Sequence, residues 1–383
     1  LSADLPLSLY VHMPWCVRKC PYCDFNSHQL KSAKPDGAYI DSLIRDLDGE
    51  LPWLKDRAVA SIFFGGGTPS LFPPEEFKRL LSEVRQRIEV DADAEITMEA
   101  NPGTIERGRF AEYRQAGINR VSLGAQSFAP RALELLGRIH TADDTHRAVQ
   151  ELRSAGIANF NLDLMYALPQ QSFDEAMHDV RVACALNPAH ISYYQLTLEP
   201  GTVFHARPPP LPDEELAWEI QTEAQLQLAA AGYLQYEVSA YARAGAQCRH
   251  NLNYWRFGDY VGLGAGAHGK LSLGLPERIV RTAKPKQPRD YQQRIAQSAS
   301  DCGERNLIAP KDLPFEYMLN ALRLNEGFES ADFPRRTGLG FGVVEPALAR
   351  AQERGLLEPR TDGWRPSALG RRFLNDLQAS FLA

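Results

Sequence analysis

Apolar runs of strand length alternate with stretches of helical period over the first half of the chain. Residues 7–12, 59–64, 95–100, 120–125, 160–165 and 190–196 predict strands. Between them, residues 39–51, 75–88, 105–116, 142–155 and 173–185 predict helices. Strands that alternate with helices imply right-handed crossovers and a parallel sheet. Six such units predict an α/β fold, a partial (β/α)6 barrel that is an open version of the eightfold one.

The pattern breaks at ARPPPLPDEE, from Ala206, because consecutive prolines continue neither a helix nor a central strand. A domain edge is expected there. Beyond it, residues 214–231 predict a helix, 233–269 are aromatic and glycine-rich without clear period, and 270–282 predict a hairpin. Helices are expected at 315–323 and 344–354. The closing stretch GLLEPRTDGWRPSALGRRFLNDL predicts strand, Asp-Gly turn, strand and final helix, a winged-helix-like α+β module. The expected division is therefore 1–206 for the barrel, 207–300 for an extension and 301–383 for the terminal module.

Composition narrows the class. The chain has 383 residues, 44% of them hydrophobic, enough for a sizeable core. A formal charge of -6 without a Lys/Arg block argues against nucleic acid, so the terminal module is expected to be a packing cap. No apolar run is long enough to span a membrane, although peripheral contact with one stays open. Leu1 is compatible with a start inside a longer chain, and no charged-then-apolar signal precedes the first strand. Six cysteines, three of them clustered, point to a metal site in a reducing cytoplasm rather than to a disulfide framework.

The unusual residues follow the predicted strands in series, where the sites of such barrels lie. Cys16, Cys20 and Cys23 follow the first strand, and GGGTP (Gly65 to Pro69) follows the second. Glu99 ends the third, Gln126 follows the fourth, and Asp163 lies late in the fifth. Three thiolates suit a four-iron cluster with one open iron, or a closed zinc site completed by His12 or His28. In GGGTP the missing side chains would expose backbone amides to a small zwitterion, or would serve only a tight strand-to-helix turn. Glu99, Gln126, Arg138 and Asp163 together could satisfy an amino group, a carboxylate and ribose hydroxyls.

CxxxCxxC after the first strand, with Tyr22 before its third cysteine and GGGTP after the second strand, resembles the radical S-adenosylmethionine (SAM) superfamily. The resemblance implies a [4Fe-4S] cluster on Cys16, Cys20 and Cys23 whose open iron receives the amino and carboxylate groups of SAM. LYVHMPWC, TMEANPG, RVSLGAQSF, LGRIHT and NLDLMYALP are similar to the anaerobic coproporphyrinogen III oxidase family over residues 5–200. By that likeness Tyr10 would lie near the cluster, Gly66, Gly67 and Thr68 would hold the methionyl part of SAM, and Glu99 its amino group. Gln126, Arg138 and Asp163 would complete the pocket.

Two features depart from the oxidases. Their motif is CxxxCxxCxC, whereas Phe25 stands here, and HNLNYW occupies His250 to Trp255. Both resemble the HemW-type heme chaperones, a similarity that continues through YWRFGDYVGLGAGAHGK and covers nearly the whole chain. It implies binding of heme and its transfer to a heme-requiring acceptor protein, with a homodimer that depends on the cluster. Oxygen-independent coproporphyrinogen III oxidation, or another radical SAM reaction on a tetrapyrrole, is the alternative. In the heme reading His250 is an axial ligand, Tyr254 and Trp255 offer flat apolar surfaces, and Cys248 and His268 are the next candidate ligands. Residue types alone favour a hydrogen-bonded turn with its aromatics in the core, and the family resemblance reverses that preference.

Overall fold

The computed structural model describes residues 5–30, 37–54, 57–103, 109–276 and 278–382. The six predicted strands are present as β1 (Leu7–Met13), β2 (Val59–Gly66), β3 (Val90–Ala100), β4 (Arg120–Gln126), β5 (Phe160–Tyr166) and β6 (His190–Gln195). They pair in sequence order and in parallel. Helices Gly37–Leu54, Pro74–Arg87, Phe110–Ala116, Ala142–Ser154 and Phe173–Ala185 make the crossovers. The first residues of the predicted 105–116 helix lie outside the described ones. Helices Ala142–Ser154 and Phe173–Ala185 begin at capping boxes, Thr141 with Asp144 and Ser172 with Glu175.

Strand periodicity sorts the two faces of this sheet. On β1, Leu7, Leu9, Val11 and Met13 pack into the main core under the helices, and Ser8, Tyr10 and His12 point the other way. The same alternation puts Ile96, Met98 and Ala100 in the core and Glu95, Thr97 and Glu99 opposite. On β4 and β5 the inner face holds Arg120, Ser122, Gly124 and Gln126, then Asn161 and Asp163. A closed eightfold barrel fills its interior with branched apolar side chains. This one lines it with polar groups.

The region after Ala206 joins the same sheet. Asp213 caps helix Glu214–Ala230, accepting from Leu216 N at 2.8 Å. At the far edge, β7 (Leu234–Glu237) and β8 (Ala240–Ala242) add antiparallel to β6. On the other side β9 (Asp259–Leu263) pairs with β1, followed by antiparallel β10 (His268–Gly274), β11 (Arg278–Ala283) and β12 (Glu304–Leu307). The order across the twelve strands is β12-β11-β10-β9-β1-β2-β3-β4-β5-β6-β8-β7. β9 is parallel to β1, so a seventh parallel strand comes from a stretch that shows no strand period. Its residues answer to neighbours instead. Asp259 takes Lys270 at 3.0 Å and Arg57 at 2.8 Å, and a Cβ on Gly262 would lie 2.1 Å from the His268 carbonyl oxygen.

HNLNYW is helical, within Arg249–Trp255, and packs against β1, β2 and β9. Asn253 donates to Ser8 Oγ at 2.9 Å and to the Asp259 carbonyl at 2.8 Å, which fixes this helix at the amino ends of the strands. The terminal module has the predicted hairpin, Leu357–Pro359 with Gly363–Pro366, joined by Phe328–Glu329. Its core of Leu313, Tyr317, Phe333, Leu348 and Leu377 also takes Phe257 and Ile279 from the extension. Among the described residues no helix is long and apolar enough to cross a membrane.

Candidate functional site

Two cavities occupy the inner face. The first, about 370 Å³, lies at the carboxyl ends of the strands, and Cys16, Cys20 and Cys23 all line it. Gly66, Gly67, Thr68, Glu99, Gln126, Arg138 and Asp163 line it too, so the predicted residues of five loops do converge. Burial pushes the Cys16 and Cys23 thiols up, and their sulfur neighbours add to the rise. A metal must therefore displace protons here.

The thiols suit a cluster better than one ion. Zinc holds its sulfurs at about 2.3 Å, which places them roughly 3.8 Å apart. Among the described residues the one trio of potential ligands within 4.8 Å of one another is Glu95, Cys248 and His250, so the three cavity thiols are spread more widely. His12 and His28, the fourth ligands of a zinc reading, are engaged elsewhere. His12 bonds Tyr10 OH at 2.8 Å and the Asn26 carbonyl at 2.9 Å, and His28 lies 3.3 Å from Asn26 Oδ1.

GGGTP follows the tight-turn reading in its backbone hydrogen bonds. The N–H of Gly66 donates to Glu99 Oε2 at 3.0 Å, that of Gly67 to the Met13 carbonyl at 2.8 Å, and that of Thr68 to the Trp15 carbonyl at 2.7 Å. These amides are consumed within the protein. Steric demand explains the glycines: Gly66 has φ +111°, where a Cβ would also lie 2.3 Å from the His12 ring, and a Cβ on Gly67 would lie 2.5 Å from the Trp15 carbonyl oxygen. Burial, with Asp163 adding repulsion and the Gly66 N–H opposing, pushes the Glu99 carboxyl up to about 8. Such a group gains a proton or a cationic partner.

Other residues complete the wall. Arg138 donates to Asn101 Oδ1 and to the Gly124 carbonyl, and its second nitrogen lies 3.8 Å from Cys20 Sγ. Asn101 in turn donates to Thr68 Oγ1 at 2.9 Å. Asp163 accepts from Ser122 at 2.9 Å and Asn161 at 2.8 Å. Gln126 sits at φ 65°, where β4 loses register with β5. Asn101, Ser122 and Asn161 were not singled out from the sequence. Asn101 and Asn161 stand two residues from Glu99 and Asp163, and Ser122 stands four from Gln126, so even spacing along the chain was the available signal.

The second cavity, about 590 Å³, runs along β1 and β2 toward the HNLNYW helix. Tyr10, Phe63, Tyr254, Trp255, Tyr260 and His268 supply its flat walls. Tyr10 stacks on Phe63 at 5.9 Å, and Tyr254 meets Tyr260 edge-on at 4.7 Å. Tyr10 thus lines this cavity and not the thiol cavity. Asp24, Phe25, Gly66 and Glu99 line both, and Phe25 is 59% exposed where they meet.

His250 lines neither cavity. It is buried behind Phe63, with which it stacks at 4.1 Å, and its Nδ1 lies 3.0 Å from both Glu95 Oε1 and Cys248 Sγ. Burial pushes the His250 imidazole down, against the pull of Glu95. Burial raises the Glu95 carboxyl, yet the His250 hydrogen bond, the Arg120 guanidinium and the Arg249 N–H together hold it well below the usual range. The pair is a carboxylate accepting from a neutral imidazole. Burial likewise pushes the Cys248 thiol far up, so it remains a thiol.

A partly closed parallel barrel with three spaced thiols at its open end, beside a carboxylate and an arginine, defines the radical SAM class. The radical SAM superfamily matches residues 10–183, and the HemN C-terminal domain matches residues 308–373. The chain is 50% identical over 380 residues to "Heme chaperone HemW" of Escherichia coli (strain K12), covering 99% of this chain and 98% of that protein. It is 33% identical to "Radical S-adenosyl methionine domain-containing protein 1, mitochondrial" of Bos taurus, over 98% of this chain and 87% of the relative. The solved coproporphyrinogen III oxidase (HemN) of E. coli shares the fold, with a TM-score of 0.84 and 23% identity over 99% of this chain and 90% of the other. The chain belongs to the radical SAM superfamily and, within it, to the HemW family. Its superfamily implies a [4Fe-4S] cluster and SAM.

Proposed function

We propose that the chain is a heme chaperone, which binds heme and passes it to a heme-requiring acceptor protein. The observation that carries this reading is the aromatic cavity that abuts the thiol cavity across Phe25. In this reading Cys16, Cys20 and Cys23 hold the cluster. Glu99 and the turn Gly66–Gly67–Thr68 bind the methionyl part of SAM, with Glu99 facing its ammonium. Arg138, Gln126 and Asp163 orient the remainder. A bound cluster supplies an electron and one open iron position. The chain's own groups fix the cofactor's orientation there: Arg138, held by Asn101, places a cation beside Cys20, and Asp163, held by Ser122 and Asn161, presents carboxylate oxygens.

Heme would lie in the second cavity, against Tyr254 and Trp255, with the sequence motif naming His250 as its ligand. We place the protein in the cytoplasm as a homodimer that depends on the cluster. Phe25 separates this reading from coproporphyrinogen oxidation, because the oxidase motif has a cysteine at that position.

The test is anaerobic reconstitution of the full chain followed by two parallel assays. Heme should be retained at about one per chain and should move to an acceptor from the same cell, seen as loss of the carrier spectrum and gain of the acceptor's. Coproporphyrinogen should not be decarboxylated. Turnover that depends on SAM and reductant would reject the carrier reading in favour of the oxidase.

A further inference from the structure

His12 and His268 line the aromatic cavity and the motif's His250 lies behind its wall, and the three differ in freedom. His12 lines it, but both of its nitrogens are hydrogen-bonded, to Tyr10 OH and to the Asn26 carbonyl. His250 lies behind Phe63, so an iron in the cavity would reach it only after Phe63 had swung away; its Nδ1 pair with Glu95 leaves only Nε2 as a ligand, and His250 does not line the cavity. His268 is exposed and lines the cavity from the start of β10, and its imidazole makes no hydrogen bond to a described residue. A ligand nitrogen must have a free lone pair facing the metal, and His268 alone of the three meets both conditions.

The surroundings of His268 fit a flat, carboxylated ligand. The walls are the rings of Tyr10, Phe63, Tyr254 and Tyr260. Lys286 is exposed at the rim, and Arg281 presents a guanidinium fixed by Tyr260 OH at 3.0 Å and Glu316 at 2.6 Å. Lys270 lies deeper and is already neutralised by Asp259 at 3.0 Å. Arg281 is likewise paired, with Glu316, so a cavity of about 590 Å³ with aromatic walls and the Lys286 ammonium at its rim suits a macrocycle whose acidic arms remain near water.

We propose that His268, and not His250, is the axial ligand this cavity offers to the iron of a carboxylated tetrapyrrole, with Lys286 meeting its carboxylates. The proposal rests on the heme reading above and names the ligand within it. His250 is then a positioning residue. Glu95 accepts from its ring at 3.0 Å and from the N–H groups of Arg249 and His250 at 3.1 and 3.3 Å, which anchors the helix whose other end carries Tyr254 and Trp255 to the cavity wall.

The test titrates the anaerobically reconstituted full chain with ferric heme and follows the Soret band and the spin-resonance g-values. His268→Gly should lose the nitrogen-ligand signature, and its affinity should fall about tenfold or more. Added imidazole should restore the signature. Unchanged iron content and SAM binding establish that the variant is folded; if it is not, His268→Met serves, since a thioether should shift the signature rather than preserve it. His250→Ala should lower heme occupancy and leave the g-values of the bound fraction unchanged. Lys286→Glu should weaken binding of heme but not of its dimethyl ester. An unchanged signature in His268→Gly, with loss of it in His250→Ala, overturns the assignment while heme carriage stands. Equal effects of Lys286→Glu on heme and ester overturn the carboxylate contact. Failure of the wild-type protein to bind heme overturns both the assignment and the reading beneath it.

Discussion

The two cavities share a wall and differ in how the chain builds them. The thiol cavity collects one short motif from the end of each of several parallel strands, Cys16 to Cys23 after β1, Gly66 to Thr68 around the end of β2, Glu99 on β3 and Asp163 on β5. The aromatic cavity takes Tyr10 and Phe63 from the barrel but Tyr254, Tyr260 and His268 from an extension some two hundred residues later. The first depends on strand order alone. The second exists only once the extension has docked on β1, so its integrity depends on the contacts that hold β9 and its neighbours in place.

Loss of a thiol is the most severe way to break this comparison, because it should empty one cavity and spare the other's walls. Cys16→Ala, Cys20→Ala or Cys23→Ala should reduce the iron of reconstituted protein from about four per chain to near none. Iron and sulfide analysis checks this. Stoichiometric zinc in anaerobically purified wild type, with no iron uptake, would contradict it.

The converse disruption lies in the buried charges behind the extension. Lys284 reaches Asp46 and Glu50, both at 2.6 Å, and these belong to the first barrel helix. Lys284→Ala would leave two carboxylates in the core with fewer partners, at a cost of roughly 3–5 kcal/mol. Denaturant unfolding should show that loss, and Tyr254 and Trp255 fluorescence should change before the cluster's absorption does. Simultaneous loss of both signals would show that the two cavities form one cooperative unit.

Glu99 sharpens the comparison where the cavities touch. Glu99→Gln should weaken SAM binding by roughly 1.5–3 kcal/mol, about one to two decades in affinity. Because burial holds this carboxyl at about 8, wild-type affinity should climb as pH rises through that value and the climb should be absent in the variant. The stability sign is opposite. Between the ordinary value of 4.5 and about 8 the folded chain binds the extra proton, so this group's contribution to stability is full below 4.5 and is lost as pH rises through that window. Equilibrium binding across pH 6 to 9 measures the first effect, on the order of tenfold per pH unit at most.

The barrel was legible because its determinants are local. Six strands and most crossovers follow from runs and periods in β1 to β6, and a thiol triplet at fixed spacing states its chemistry whatever surrounds it. Asn101, Ser122 and Asn161 were missed because a polar residue on a strand declares its role only when its face is known to be a site. β9 was missed for a stronger reason. DYVGL carries Asp259 and Gly262 where a strand would carry apolar residues, and both are explained by partners distant in sequence, Arg57 and Lys270 for the first and the His268 backbone for the second.

HNLNYW marks the limit most clearly. The sequence presents His250, Tyr254 and Trp255 as one ligand-binding group, and a helix spreads them over more than a turn. Tertiary packing then divides them. Phe63 and Glu95, from two barrel strands, enclose the His250 imidazole, while Tyr254 and Trp255 reach the cavity and His268 arrives from the next strand but one. The sequence by itself determined the superfamily, the six βα units and the clustered thiol triplet, because each rests on neighbours along the chain. Which imidazole faces the cavity was decided only by the tertiary structure, since burial and hydrogen-bond partners come from strands that the chain brings together after folding.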